Sequence, residues 1–234
     1  MSNPVWKGSL AYGTLSFHVK LFSAARAETV HFNQLRATDN SRLKQVLVAE
    51  VDDKPVPKSE IVKGYEFEKG RYLVFTDADL VKANPPAPNV LDILAFVDAG
   101  QIDPLYLESS YYLAPDGQDE TPYAALLGAM RKSGLAGLGR ITVSTRERIA
   151  AIRPGRTGII LHTLFYADEL RRLDEFRTDL SVISGPSLLQ AKRAVAALRA
   201  DEFVLDRLED TQRKRLLAMI EQRQAERLSA QGTA

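Results

Sequence analysis

The chain has 234 residues, 45% hydrophobic and 26% charged, with a formal net charge of +1 and no cysteine. That length and balance allow a buried core and describe a globular protein, and the lack of cysteine excludes disulfides, thiolate catalysis and cysteine-ligated zinc. No apolar run approaches the roughly 20 residues that span a bilayer, and MSNPVWKGSL lacks the basic end and apolar centre of a signal peptide, so a cytoplasmic protein with no membrane partner is expected.

In chain order, Leu15, Phe17, Val19 and Leu21 alternate with Ser16, His18 and Lys20, the period of two that turns one strand face inward and the other to water. Short runs of the same kind follow at VHFNQL, KQVLVAEV, GRYLVF, VLDILAFV, RITV, RIAAI and GIILHTLFY. Turn chemistry separates them, at Asp53-Lys54-Pro55, Lys69-Gly70, Pro85 to Pro88, Asp116-Gly117 and Pro154-Gly155. So many short strands without regular intervening helices predict a mainly β (α+β) chain, an antiparallel barrel or sandwich and not a doubly wound parallel sheet.

Helices are expected where the period changes. Thr76 and Asp79 form a capping-box pattern ahead of a short helix that Pro85 and Pro86 end. Thr121 and Pro122 read as N-cap and first turn of PYAALLGAMRKS, with Gly134 as C-cap and Leu126, Leu127 and Met130 facing the barrel. The glycine-rich Ser133 to Gly139 reads as a flexible connection, because its position between a helix and a strand reverses the order a phosphate loop needs. From Gly185 the pattern is helical: Pro186 opens it and Leu188, Leu189, Val195 and Leu198 follow. A second segment carries Phe203, Leu205, Leu208, Leu216, Leu217 and Ile220. Such a tail cannot bury its stripe alone, and its last residues read as frayed.

Nothing in the sequence supports catalysis. The histidines are His18, His31 and His162, ordinary strand or core residues, and HExxH, GxSxG and the phosphate-binding glycine motifs are absent. Acids near Thr76 belong to a helix start and those from Asp98 to Asp103 to a loop. No catalytic residue, cofactor or metal site is therefore expected.

Charge is distributed unevenly. Residues 1–65 hold nine cations against six acids, 66–120 three against eleven, 121–165 seven against one, and 166–234 twelve against twelve. Arg140 to Arg156 alone holds five arginines against one acid. Arg131 and Lys132 extend that set, and a second one, Arg36, Arg42, Lys44, Lys54 and Lys58, is interleaved with Asp39, Glu50, Asp52 and Asp53. Cations without a base-reading motif suit sequence-independent duplex binding. A merely solvated face, on a barrel-shaped protein interaction module with no DNA role, is the alternative reading.

Longer stretches carry a resemblance. WKGSLAYGTLSFHVKLFSA at Trp6 to Ala24, HFNQL, VPKSEIVKGYEFEKGRYLVFTDADL at Val56 to Leu80, IDPLYLESSYYLAPD at Ile102 to Asp116 and RERIAAIRPGRTGIILHTLFYADELR up to Arg171 together resemble the bacterial Ku family. The resemblance implies a homodimeric ring that encircles double-stranded DNA ends, is not an enzyme, and recruits the ATP-dependent DNA ligase of non-homologous end joining. It places a barrel at Val5 to Phe32 and Val90 to Tyr166 within a core of residues 1–180, a strand-rich bridge at Gln34 to Lys63, and a C-terminal helical arm over 181–234. Many family members carry a cysteine pair in the bridge where this chain has Ala49 and Asp52, and a lysine-rich extension where it ends QAERLSAQGTA; metal binding and tail-borne DNA contacts are not expected. Expected phosphate contacts are Lys20, Arg26, Arg36, Arg42, Lys44, Lys54 and Lys58 with Arg131, Arg140, Arg146 and Arg148. Arg140 shares a strand face with Thr142 and Ser144, opposite Ile141 and Val143, which makes it the foremost arginine of its segment. Arg153 and Arg156 are expected to keep a hairpin tip wet.

Overall fold

The computed structural model describes residues 3–26, 28–83, 89–143, 146–171, 179–202, 204 and 209–231. The chain divides into two compact units, Met1–Arg26 with Gln45–Arg171, and Ala27–Lys44 with Arg172–Ala234.

The first unit is built on a closed barrel. Its strands are β1 (Trp6–Tyr12), β2 (Leu15–Ser23), β5 (Val90–Asp98), β6 (Leu107–Pro115), β7 (Leu135–Val143), β8 (Arg146–Pro154) and β9 (Ile159–Leu164), and β3 (Lys63–Glu68) pairs with β4 (Arg71–Phe75) in a separate ribbon. The barrel order is β1-β2-β6-β9-β8-β7-β5, and every pair is antiparallel except β1 with β5, whose parallel pairing closes it. Closure leaves the barrel itself without an unpaired edge.

Alternation fills the interior. Trp6, Leu10, Val19, Leu21, Leu91, Ile93, Leu113, Ile141, Ala150, Ile152, Ile159 and Leu161 form one core, while Leu15 at the start of β2 is exposed. Helix α2 (Thr121–Ser133) packs Tyr123, Leu126 and Met130 into the same core, and Leu127 lies partly buried against it. The N-cap is Glu120, and Asp119 Oδ1 accepts from the Thr121 amide at 2.9 Å, one step earlier than the sequence suggested. Gly134 ends the helix in the left-handed region, with φ of 71°, a conformation glycine adopts freely. The Tyr123 hydroxyl donates to the Leu113 carbonyl and accepts from the Ile159 amide, both at 2.7 Å. It thus stands in for a ladder rung between the β6 and β9 residues that it links, and burial raises its pKa, favouring the neutral phenol.

The glycine-rich stretch is not a flexible connection but most of strand β7. A Cβ on Gly137 would lie 2.8 Å from the Ile152 side chain, and one on Gly139 would lie 2.1 Å from the Asp92 carbonyl oxygen. These glycines let β7 pass close to its neighbours, which spacing in the sequence cannot reveal. A second cluster, Ile102, Ala136, Ala151 and Leu164 with Val97, Leu107, Leu138 and Ile149, lies on the opposite face of these strands.

Thr163 is 2% exposed, and its hydroxyl has no hydrogen-bond partner among the described residues. Because an unpaired buried hydroxyl costs about 1 kcal/mol or more, Thr163→Val should stabilise the unit by ~1 kcal/mol. Thermal melting should show this as a midpoint raised by about 2–4 °C; a lowered midpoint would refute it.

Two expected strands are absent as ladders. VHFNQL and KQVLVAEV contribute only the isolated bridges Leu35 with Arg42, in the second unit, and Val48 with Pro55, in the first. Each bridge closes a tight turn, with Asn40 at φ of 56° and Asp53 at φ of 54°. Asp39 accepts from the Ser41 amide and Asp52 from the Lys54 amide, so local side-chain bonds supply what strand neighbours would. Val51 at the second turn is 97% exposed. The β3–β4 ribbon is exposed on both faces, and helix α1 (Asp77–Ala83) follows the expected reciprocal bonds of Thr76 and Asp79.

In the second unit, α3 (Gly185–Ala197) is capped by Ser184, whose hydroxyl accepts from the Ser187 amide at 3.3 Å, and has Pro186 in its first turn. Leu188, Leu189, Val195 and Leu198 are all exposed. Helix α4 (Thr211–Gln231) half-buries Leu216 and Ile220 while Leu217 stays exposed, and its Arg213 bonds Glu28 at 2.6 Å. Phe203, Leu205 and Leu208 lie outside the described residues. No helix among the described residues is long and apolar enough to cross a membrane.

Candidate nucleic-acid interface

The register of β7 and β8 sorts the first basic set onto two faces. Arg140 lies opposite Ile149 and, across β5, opposite Asp92. It continues the row of Ala136 and Leu138, the face of the second cluster, and projects from it with 61% of its side chain exposed, 3.9 Å from Glu147. Arg148 and Arg146 instead pair with Ile141 and Val143, the row that runs into the core. They sit where that row reaches the barrel rim. Arg148 Nη1 donates to both oxygens of Glu108 at 2.6 and 2.7 Å, and Arg146 Nη2 donates to Glu169 at 2.6 Å. The other Glu169 oxygen accepts from the Tyr166 amide at 2.9 Å, and that bond, then Arg146, holds its carboxyl below the usual range. Ser144, expected beside Arg140, lies outside the described residues.

Arg131 is engaged with backbone. It donates to the carbonyls of Gly155 and Arg156 at 2.8 and 2.9 Å and so ties α2 to the turn between β8 and β9. Arg156 is exposed at that turn, whereas Arg153 is half-buried and donates to the Ala99 carbonyl at 3.3 Å.

On the far side of the sheet order, Lys20 on β2 makes an ion pair with Asp116 that lowers the acid's pKa. Lys7 lies directly opposite Lys20 on β1. Two lysines in that position repel, and Asp116, which feels both, offsets the repulsion. Lys7 was not among the expected contacts, although its place between inward Trp6 and Leu10 and the hairpin register would have found it.

In the second set, Arg36 pairs with Asp39, whose carboxyl is held far below its ordinary range, and Nε reaches it at 3.0 Å. Arg42 donates to Asn33 at 2.8 Å, and Lys54 faces Asp52 at 2.9 Å. Arg26, Lys44 and Lys58 are exposed without a partner among the described residues. The expected contacts therefore do not form one bare basic stripe. Six of them, Lys20, Arg36, Lys54, Arg140, Arg146 and Arg148, stand within ion-pair distance of a carboxylate.

His18 shares a hydrogen bond with Ser9 at 3.1 Å, His31 with Thr29 at 3.3 Å and His162 with Ser110 at 2.9 Å, and burial lowers the pKa of His162. Among the described residues no three His, Asp or Glu side chains converge as a metal site would require. In the turn at Ala49 and Asp52, the Ala49 carbonyl accepts from Asp53 and the Asp52 carboxylate is occupied by Lys54.

A closed seven-stranded barrel with helix α2 packed against its core and a separate two-stranded ribbon defines a β-barrel protein of mainly β (α+β) class. The family model described as the Ku70/Ku80 beta-barrel domain matches residues 11–192. The chain is 43% identical over 174 residues to the non-homologous end joining protein Ku of Koribacter versatilis, covering 74% of this chain and 60% of that protein. It is 37% identical over 223 residues to the protein of that name from Solibacter usitatus, covering 95% of this chain and 83% of the other. With the Ku protein of the archaeon Archaeoglobus fulgidus the identity is 32% over 218 residues, or 92% and 86% of the two chains. The chain belongs to the Ku family.

Proposed function

We propose that this chain acts as a homodimer that encircles a double-stranded DNA end without reading its sequence and brings an ATP-dependent DNA ligase to the break during non-homologous end joining. Membership of the Ku family carries the reading. Two features support it. The exposed cations include no base-reading module, so their contribution is to phosphate and independent of sequence. The β3–β4 ribbon leaves Tyr65, Phe67, Tyr72, Leu73 and Val74 exposed, and a lone two-stranded ribbon is marginal in water, which favours a second subunit as its cover. In this reading the protein is a scaffold, and the chemistry of joining belongs to the ligase.

The test compares gel-shift binding to a linear duplex with binding to a covalently closed circle of the same sequence. The linear form should bind and the circle should not, since a closed ring can be entered only from an end. Equal affinity for both would sink the encircling model. If about six phosphates are neutralised, log K against log salt should slope near −5.

A further inference from the structure

We propose that Glu108 and Glu169 are built-in competitors for the phosphates that Arg148 and Arg146 bind, so that these two carboxylates limit how tightly the protein holds duplex DNA and how strongly salt weakens it. The inference rests on the DNA-binding reading above and adds to it which residues oppose binding at that surface.

The geometry of the rim carries the argument. Arg146 and Arg148 lie two residues apart near the start of β8, on one face, and each is met by a glutamate from a different element. Glu108 comes from β6 at the point where the register shifts between Leu107 and Ser109, so it is the residue left out of the ladder with β9. Glu169 comes from the single 3-10 turn Ala167–Glu169 that follows β9. The four charges interleave: Arg146 is influenced by both glutamates, and Glu169 by both arginines. Two cations and two acids cancel, so a region that the sequence marks as strongly basic presents no net charge at this rim.

The carboxylates also have supports of their own. Glu169 takes its bond from the Tyr166 amide on the oxygen that Arg146 does not use, and Glu108 is placed by the bulge in β6. Arg146 can therefore turn to a phosphate while its acid stays where it was. Its side chain is 54% exposed, and a pair in such a setting is screened and weakly held, whereas Arg148 and Glu108, 22% and 23% exposed and joined by two bonds, are held more firmly. Exchange is feasible, yet it gains little: the freed carboxylate takes up a counterion as the phosphate gives one up, so the release that drives duplex binding is largely cancelled. Arg140, 3.9 Å from Glu147, is less firmly held. Glutamates at these two positions would keep the protein from binding so tightly that it could not move along DNA.

Fluorescence anisotropy with a linear duplex, over about 50 to 300 mM salt, tests this on the full chain. For E108Q/E169Q the slope of log K against log salt should steepen by about 1.8, and affinity at ~0.15 M salt should rise roughly thirtyfold if each freed arginine releases about 0.9 counterion. The amide oxygen of glutamine still accepts from Tyr166, so the turn is preserved. Should the double variant fail to melt as a folded protein, E108Q and E169Q are read singly, each with a steepening of about 0.9. Unchanged slope and affinity, with the unsubstituted protein still binding duplex, would overturn the competitor role and leave the DNA reading intact. Weaker binding would overturn it too, by showing that the acids position the arginines. An unsubstituted protein that ignores linear duplex at low salt would instead remove the DNA reading itself.

Discussion

Gly139→Ala should destabilise the barrel by about 3 kcal/mol or more, at the upper end of what overpacking costs. The methyl group would sit 2.1 Å from the Asp92 carbonyl oxygen, 2.9 Å from its carbon and 3.0 Å from the Ile93 Cα. All three are backbone atoms, so no side chain can rotate away. Relief requires β5 and β7 to part where Ile93 pairs with Gly139, next to the irregular step between Ile93 and Ala95, and buried amide and carbonyl groups then lose their partners. Gly128 supplies the control. It lies within α2, and nothing comes within 4 Å of a Cβ built there, so Gly128→Ala should stabilise by roughly 0.5–1 kcal/mol through helix propensity. The two alanine variants should melt on opposite sides of the unsubstituted protein, the first lower by about 6–12 °C. A Gly139→Ala protein that melts unchanged would mean that β7 does not approach β5 as described.

The same residue marks the boundary of what the sequence discloses. Val19, Leu21, Leu91, Ile93, Ile141, Ile152 and Leu161 announce their inward faces through a period of two, because alternation is a property of one strand and needs no knowledge of its neighbours. The Thr76 and Asp79 pair and the left-handed Gly134 are local in the same sense. Gly137 and Gly139 look like a loop in sequence, since their purpose is to admit backbone from β5 and a side chain from β8. VHFNQL and KQVLVAEV fail in the opposite direction: they alternate well, but an alternating run becomes a strand only where another strand lies alongside it, and here only isolated bridges form.

For the candidate interface the limit is pairing at a distance. Counting charge by blocks finds Arg146 and Arg148, but their partners Glu169 and Glu108 lie 23 and 40 residues away. Only the barrel's strand order brings them together. Local pairs such as Arg36 with Asp39 and Lys54 with Asp52 were visible as interleaved acids, and they account for why a locally basic composition does not become a basic stripe.

Neutralising Arg26, Lys44 and Lys58 together, as R26Q/K44Q/K58Q, should weaken duplex binding roughly a hundredfold at ~0.15 M salt and flatten the slope of log K against log salt by about 2.7. These are the expected contacts that are exposed and have no partner among the described residues. On the proposed DNA-binding reading, with no carboxylate to displace, each would contribute its full share of counterion release, about fivefold in affinity at that salt relative to ~1 M. Exposed substitutions of this kind change stability by about 0.5 kcal/mol or less, so melting should be unaffected and the loss can be assigned to binding. A drop below tenfold would refute these three residues as phosphate contacts. Set beside E108Q/E169Q, the triple variant separates two ways of controlling one affinity: removing bare cations flattens the salt dependence, whereas removing competing carboxylates steepens it. Opposite signs in a single titration series are the signature expected if both variants act through phosphate exchange.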